Sequence, residues 1–338
     1  MTVVGLDVGG TSINATVLDA ERRFLVDSLV EIPSRVLDGP GPAVEALATA
    51  FEGILGITGT PRDAVRAVGL DTPGPASATG VISSRGATNF NAPEWRGFDV
   101  RGALQERLGV PVVYTNDANA AALYAHHVHF GADAPARSSV SVIVGTGLGG
   151  GVVEAGRVVQ GAAGMAGELG HVHIPLHGLL EEGQPLPGCN CGFVGDAESV
   201  ASLSGIVRNL LPYWLTRYPD HELHGETSPK AAGMLVRKHA EAGDEMSLRI
   251  FQQQAGAIGR LFTVAANFTD PDAYFLGGGV VETEPHFREW FLAQVRENTL
   301  LRPEQQSVST FALVPDRDMA GARGAAIAAM DAALATGG

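Results

Sequence analysis

Two short glycine runs each carry a threonine: Gly9-Gly10-Thr11, and Gly145-Thr146-Gly147-Leu148-Gly149-Gly150-Gly151. Each lies between two stretches of alternating apolar residues, 3–8 with 13–18 and 141–144 with 152–159, which is the period of half-buried strands. A glycine turn between strands lines up successive backbone N–H groups into an anion-binding concavity, and the missing Cβ atoms let phosphate oxygens approach. The same letters also spell a tight hairpin turn that binds nothing. The recurrence of the turn, with threonine both times, favours phosphate. Asp7 stands just before the first turn, either as a carboxylate able to hold Mg²⁺ through water or as a strand-end turn former. Cys189 and Cys191 are the only two cysteines and lie one residue apart. Neighbours that close rarely form a disulfide, and in a reducing compartment the pair suggests a metal. Asp117 follows a short strand at 111–114 and precedes an alanine-rich helix at 118–127, so it is well placed as an N-cap.

Gly145, Gly147 and Gly150 formally match the dinucleotide fingerprint G-x-G-x-x-G. That fingerprint needs a helix after the turn, so that the helix N-terminus meets the pyrophosphate. Here the chain continues Val152-Val153-Glu154-Ala155-Gly156-Arg157-Val158-Val159, a hairpin pattern, which argues against a dinucleotide site.

The elements that must position these residues read as an alternation of strands and helices. Helical patterns cover 42–55, 118–127, 199–215, 245–267 and 319–334, and further strands cover 67–70 and 273–276, the latter running into Gly277-Gly278-Gly279. A turn is expected at 19–23. Residues 71–97 are turn-rich and 161–198 form a loop-rich insertion with His, Glu and Cys. The two strand–glycine–strand units suggest an internal structural repeat, one per domain. The 338 residues suffice for two domains. With 45% hydrophobic and 18% charged residues and 44 glycines, the composition is globular and rich in tight turns. A formal net charge of −14 repels nucleic acid and anionic membranes and excludes either as an expected partner. No apolar run approaches the roughly 18 residues of a membrane span. The N-terminus opens directly as a strand, without a basic or apolar leader, so a cytoplasmic protein is expected.

Asp7-Val8-Gly9-Gly10-Thr11, the glycine loop at 145–151, Gly167-Glu168-Leu169-Gly170-His171 and Cys189-Asn190-Cys191-Gly192 together resemble the ROK family of sugar kinases and repressors, within the actin-like ATPase superfamily. The resemblance runs over nearly the whole chain and extends to Asn116-Asp117-Ala118-Asn119-Ala120-Ala121 and to the segment from Asp270 to Gly279. The repressors carry an extra N-terminal helix-turn-helix. A phosphate strand beginning at Val3 leaves no room for one, so the kinase branch is the one resembled. The resemblance implies an α/β chain with a two-domain actin-like ATPase (ribonuclease H-like) fold and an interdomain cleft. The expected lobes are 1–118 with 316–338, and 119–315 with the sugar and zinc insertion 161–198. It further implies ATP and Mg²⁺ as cofactors, a hexose as substrate, and a homodimer or homotetramer. Asp7, Gly9, Gly10 and Thr11 would face the phosphates from one lobe, Gly145, Thr146 and Gly147 from the other. Gly277, Gly278 and Gly279 would pass beside the adenosine.

By the same resemblance Asp117 is the catalytic base, competing with its role as a helix cap. Asn89, Asn116, Asp117, Glu168, His171 and Glu198 would bind the sugar, whose hydroxyls call for paired carboxylates and amides. The family's zinc motif takes a third cysteine where this chain has Asp196, and the stretch from His171 to Cys189 is longer than usual. Zinc accepts carboxylate oxygen beside thiolate and imidazole, so the implied ligands are His171, Cys189, Cys191 and Asp196, with His173 and His177 as spare candidates. The alternative is a hydrogen-bonded loop without metal. Many members place lysine after the first loop. Here Ser12-Ile13-Asn14 follows, leaving the phosphate charge to Mg²⁺ and backbone N–H groups. The expected function is an ATP:hexose 6-phosphotransferase with glucose as leading substrate. The alternatives are a kinase for fructose, mannose, allose or an N-acetylhexosamine, and a non-catalytic sugar-binding regulator. Intact phosphate loops and an intact Asp117 favour the enzyme.

Overall fold

The computed structural model describes residues 1–73, 76–83, 90, 92–226 and 228–336. The first strands and helices are β1 (Thr2–Val8), β2 (Ser12–Leu18), β3 (Glu31–Pro33), α1 (Pro40–Thr58), β4 (Val65–Thr72), α2 (Val100–Leu108), β5 (Val112–Asn116) and α3 (Asp117–Phe130). Then come β6 (Ser139–Val144), β7 (Leu148–Glu154), β8 (Arg157–Val158), α4 (Ala197–Ala201), α5 (Leu203–Gly205), α6 (Leu211–Arg217), α7 (Pro229–Glu241) and α8 (Glu245–Thr269). The chain ends with β9 (Ala273–Gly278), α9 (Pro285–Glu297), α10 (Pro303–Val308), β10 (Thr310–Leu313) and α11 (Arg317–Thr336). Two five-stranded sheets result, ordered β3-β2-β1-β4-β5 and β10-β9-β6-β7-β8. The chain divides into two compact units: 1–136 with 151–167 and 314–338, and 137–150 with 168–313. The first unit takes in all of α3, beyond the limit at 118 expected from the sequence. Ala120 on α3 lies against Gly324 on α11, which ties α3 to the first sheet's covering helix.

In the first unit β1 pairs antiparallel with β2 and parallel with β4, and β4 pairs parallel with β5. Side chains alternate across a strand. Val4, Leu6 and Val8 join Val68 and Leu70 in the core with Leu47, Phe51 and Ile54 of α1. The opposite face presents Gly5 and Asp7 beside Gly69 and Asp71, in register as Gly5↔Gly69 and Asp7↔Asp71. The two glycines let α11 lie directly on the sheet. A Cβ at Gly5 would come 1.9 Å from the Ala322 carbonyl oxygen, and one at Gly69 would come 1.9 Å from that of Ala325. Backbone cannot yield as a flexible side chain can. Gly69→Ala should therefore destabilise the protein by about 3 kcal/mol, read as a lower urea midpoint at unchanged slope. A midpoint equal to wild type would show that α11 does not press on the sheet.

α11 is fastened further by Arg323, which is 7% exposed. Its guanidinium donates to Tyr124 Oη at 2.6 Å and to Asp316 Oδ2 at 2.8 Å, and stacks over the Phe24 and Tyr124 rings. A buried arginine is tolerable only when its charge is paired; Asp316 does this through Nη1, while Nε meets no acceptor among the described residues.

In the second unit β9 runs parallel to both β6 and β10, and every residue of β9 is buried, as befits a central parallel strand. The 25-residue α8 packs on α9 through Phe251, Phe287 and Phe291. The turn from β7 into β8, through Ala155 and Gly156, both at positive φ, falls in the part of the chain that belongs to the first unit.

Candidate active site

The first glycine turn joins β1 to β2. Gly9 N–H donates to the Ser12 carbonyl at 2.8 Å, and Thr11 carbonyl accepts from Ser34 N–H at 3.0 Å. Thr11 is exposed, while Gly9 and Gly10 are half-buried. Below this turn Asp7 and Asp71 face one another at the carboxyl ends of β1 and β4, the ends at which parallel α/β sheets bind ligands. A Cβ at Gly321 of α11 would sit 2.7 Å from Asp7 Oδ2 and 3.0 Å from Asp71 Oδ2, so the helix leaves room for both carboxyls. Asn14 Nδ2 donates to Asp7 Oδ2 at 3.4 Å. Asp71 is fully buried, and neither of its oxygens meets a donor among the described residues. It can bond to Asp7 only through a shared proton. Burial, then the charge of Asp7, and finally that of Asp117 hold the Asp71 carboxyl well above the usual range. Burial raises Asp7 as well, against hydrogen bonds from Asp71 and Asn14 that lower it.

The sequence reading missed Asp71, taking it as the start of a turn. The signal was present: Val4-Gly5-Leu6-Asp7 recurs letter for letter as Val68-Gly69-Leu70-Asp71, and the two copies pair in register.

Asp117 is not the cap of α3, contrary to expectation. β5 runs through Asn116, whose side-chain oxygen accepts the Asn119 N–H at 2.8 Å and caps the helix. Asp117 becomes the first helical residue. Its side chain is exposed, and Oδ1 accepts the Ala118 N–H at 2.7 Å. A carboxylate there is favoured by the helix dipole. Asn89 lies outside the described residues.

In the second unit the expected turn 145–151 is shorter. Gly145, Thr146 and Gly147 form it, closed by Gly145 N–H on the Gly147 carbonyl at 2.9 Å, and β7 begins at Leu148. Gly150 and Gly151 serve close packing instead: a Cβ would meet Leu169 and Ala122 at 2.6 and 2.5 Å. Of the third glycine run, Gly277 and Gly278 end β9. Gly278, at φ 89°, lies against the end of β6, where a Cβ would come 2.1 Å from the Val144 carbonyl oxygen. The Gly279 carbonyl accepts from Arg237 at 3.0 Å.

Glu168 lies near enough to His171 and Glu198 to feel the charge of each. Burial pushes the Glu168 carboxyl up, the nearby His171 draws it down, and the charge of Glu198 adds to the rise. His171, Cys189, Cys191 and Asp196 also converge, with one ligand atom from each all within 4.8 Å of one another. Asp196 Oδ2 lies 3.1 Å from His171 Nδ1 and 3.7 Å from Cys191 Sγ, and Cys189 Sγ lies 3.8 Å from His171 Nδ1. The edges of a tetrahedron around zinc are about 3.3–3.8 Å for metal–ligand bonds of about 2.0–2.3 Å; the separations of 3.7 and 3.8 Å fall in that range, and that of 3.1 Å is a little short of it. Burial pushes the Cys189 thiol up, and hydrogen bonding to Asp196, Cys191 and Glu198 adds to that. The turn is built by Cys189 N–H on the Phe193 carbonyl at 2.8 Å and by Gly192 at φ 97°. Asp196 has a second task, since its Oδ1 accepts the Ser199 N–H at 2.9 Å and caps α4. A carboxylate can cap and ligate through separate oxygens, which a cysteine cannot do. His173 and His177 are exposed and are not part of the four-residue cluster. No helix among the described residues is long and apolar enough to cross a membrane.

Glucokinase from Halalkalibacterium halodurans is 32% identical over 317 residues, 92% of this chain and 86% of its own length. N-acetylmannosamine kinase from Citrobacter koseri is 29% identical over 332 residues, 97% of this chain and 99% of its own length. The crystal structure of a ROK family glucokinase from Streptomyces griseus in complex with glucose and AMPPNP matches with a TM-score of 0.68 at 28% identity, over 98% of this chain and 100% of that one. The two sheets and their helices thus have the actin-like ATPase fold. The pattern of the ROK family matches residues 3–332, and the chain belongs to that family.

Proposed function

We propose that this chain is an ATP-dependent kinase that phosphorylates the 6-hydroxyl of a free hexose, glucose first, with Asp117 as the base. The observation that carries the proposal is the division of labour at the head of α3: Asn116 takes the cap, and the Asp117 carboxylate is left exposed. Two relatives named above, a glucokinase and an N-acetylmannosamine kinase, support sugar phosphorylation as the reaction.

In this reading the sugar hydroxyl oxygen attacks the terminal phosphorus of ATP. The bond from that phosphorus to the bridging oxygen breaks toward ADP, and the hydroxyl proton passes to Asp117. Such transfer needs alignment and charge neutralisation more than covalent chemistry. The turns 9–11 and 145–147 would present to the phosphates backbone N–H groups other than those of Gly9 and Gly145, which close the turns themselves, and Asp7 is the carboxylate that would hold Mg²⁺, which neutralises phosphate charge when bound. Glu168, His171 and Glu198 would receive the sugar hydroxyls. The cluster His171, Cys189, Cys191 and Asp196 would hold zinc, which fixes the ligand loop when bound and sets the ring of His171. A coupled ADP-release assay over glucose, fructose, mannose, allose, N-acetylglucosamine and N-acetylmannosamine tests the reading. ADP release with none of them would overturn it.

Elemental analysis of protein never exposed to chelator should find close to one zinc per chain. Less than a tenth of an equivalent would rule zinc out and leave the cluster as a hydrogen-bonded loop, with Asp196 bonded to His171 and capping α4.

A further inference from the structure

We infer that Glu198 is a positioning residue for the second phosphate turn, acting as a strut between that turn and the His/Cys/Asp cluster. The inference rests on the kinase reading above and gives one of its sugar-binding candidates a second task.

Glu198 lies in the first turn of α4, two residues beyond Asp196. Its Oε2 accepts the Leu148 N–H at 2.8 Å, and Leu148 is the first residue after Gly145-Thr146-Gly147. The same oxygen sits 2.7 Å from where a Cβ on Gly147 would be, so a side chain at 147 would push the Glu198 carboxylate off its place. Its other oxygen, Oε1, accepts from the protonated Cys189 thiol at 3.3 Å, a bond that a zinc-bound thiolate would give up, leaving the contact with the turn. One carboxylate therefore touches the turn with one oxygen and the cluster with the other.

The chain just downstream completes the grip. Leu203 N–H donates to the Gly145 carbonyl at 3.0 Å, and Ser204 N–H donates to the Thr146 carbonyl at 3.1 Å. Ser202 caps this short helix through the Gly205 N–H at 2.9 Å. From the other direction, a Cβ on Gly170 would come 2.3 Å from the Leu148 carbonyl oxygen and 3.3 Å from Glu198 Cβ. The turn's carbonyls are thus drawn toward α4 and α5. A turn whose carbonyls are tied down on one side keeps its N–H groups set for an anion on the other. A sugar contact alone needs none of this, since it would leave Glu198 with no bond to the turn.

Glu198→Ala and Glu198→Gln, in the full chain, test the strut. Three quantities are read: AMPPNP affinity without sugar, glucose affinity without nucleotide, and amide hydrogen exchange across 145–150. A hydrogen bond to a charged group is worth about tenfold or more in binding when lost. Glu198→Ala should weaken AMPPNP binding by about tenfold and speed exchange at Leu148. Glu198→Gln keeps a carbonyl oxygen for the Leu148 N–H and should recover most of both. Weakened glucose binding with unchanged AMPPNP affinity and unchanged exchange would overturn the strut and leave the kinase reading standing. Wild type that binds no AMPPNP would overturn the kinase reading, while exchange at Leu148 would still decide the strut. If the alanine variant fails to fold, the glutamine variant decides: exchange at Leu148 close to wild type is expected, and exchange as fast as in an unstructured loop would overturn the inference.

Discussion

Asp117→Asn is expected to lower turnover by about 10²–10⁴-fold while glucose affinity stays within a few-fold of wild type. The local structure makes this a clean experiment. Asn116 supplies the side-chain oxygen that caps α3, so the helix does not depend on the residue after it. The bond from the Ala118 N–H to Asp117 Oδ1 at 2.7 Å can be made by an asparagine oxygen as well. The substitution keeps volume and acceptor and removes the capacity to take a proton. If proton acceptance is the role of the group, the loss falls on kcat; a group that merely binds sugar would show its loss in KM. A variant that keeps a tenth of wild-type turnover would remove Asp117 from the role of base. A variant that loses glucose binding and turnover together would make it a sugar contact only.

Much of this arrangement was legible in the sequence, and the misses have particular causes. The strands around the first glycine turn and the one before the second stand within two residues of their expected limits, because alternation between a buried face and its opposite is a strong signal over six or seven residues; the strand after the second turn begins four residues early, at Leu148. The cap was misplaced by one because Asn and Asp are both good caps, and only the end of β5 at Asn116 decides between them. Gly149, Gly150 and Gly151 were read as turn. They belong to a strand, and at Gly150 and Gly151 the neighbours Leu169 and Ala122 crowd any Cβ, a pressure invisible in the letters. α7, α9 and α10 were not anticipated, yet each begins with proline at its first position: Pro229, Pro285 and Pro303. Proline there is a start signal as much as a break. The cluster of His171, Cys189, Cys191 and Asp196 was foreseen from a motif with one ligand exchanged. The second duty of Asp196, capping α4, needed coordinates. Asp71 needed only a comparison of residues 68–71 with 4–7.

Asp71→Asn should stabilise the protein at alkaline pH and leave it nearly unchanged in mild acid. Asp71 is fully buried against α11 and stands opposite Asp7. Two ionised carboxyls in that position would repel each other with little solvent between them. Both folded-state pKa values are accordingly raised, Asp71 well above its usual value. A carboxyl raised in the folded state contributes its stability fully below the unfolded value of about 3.9, and the contribution is lost as pH rises through the folded value. In EDTA, wild-type stability should therefore decline from about pH 5 to pH 9 with a slope to which this pair contributes. The asparagine variant removes one titrating group and donates to Asp7 through its amide. Its slope should be shallower, with the residue of the decline owed to Asp7 itself. The two proteins should unfold at nearly the same urea concentration at pH 5 and diverge by pH 9, the variant being the more stable. Mg²⁺ should narrow the gap at high pH, since a divalent cation near Asp7 offsets the same repulsion. Parallel stability curves from pH 5 to pH 9 would show that Asp71 keeps one protonation state across that range. A variant less stable at every pH would show instead that the wild-type carboxyl makes a bond that an amide cannot replace.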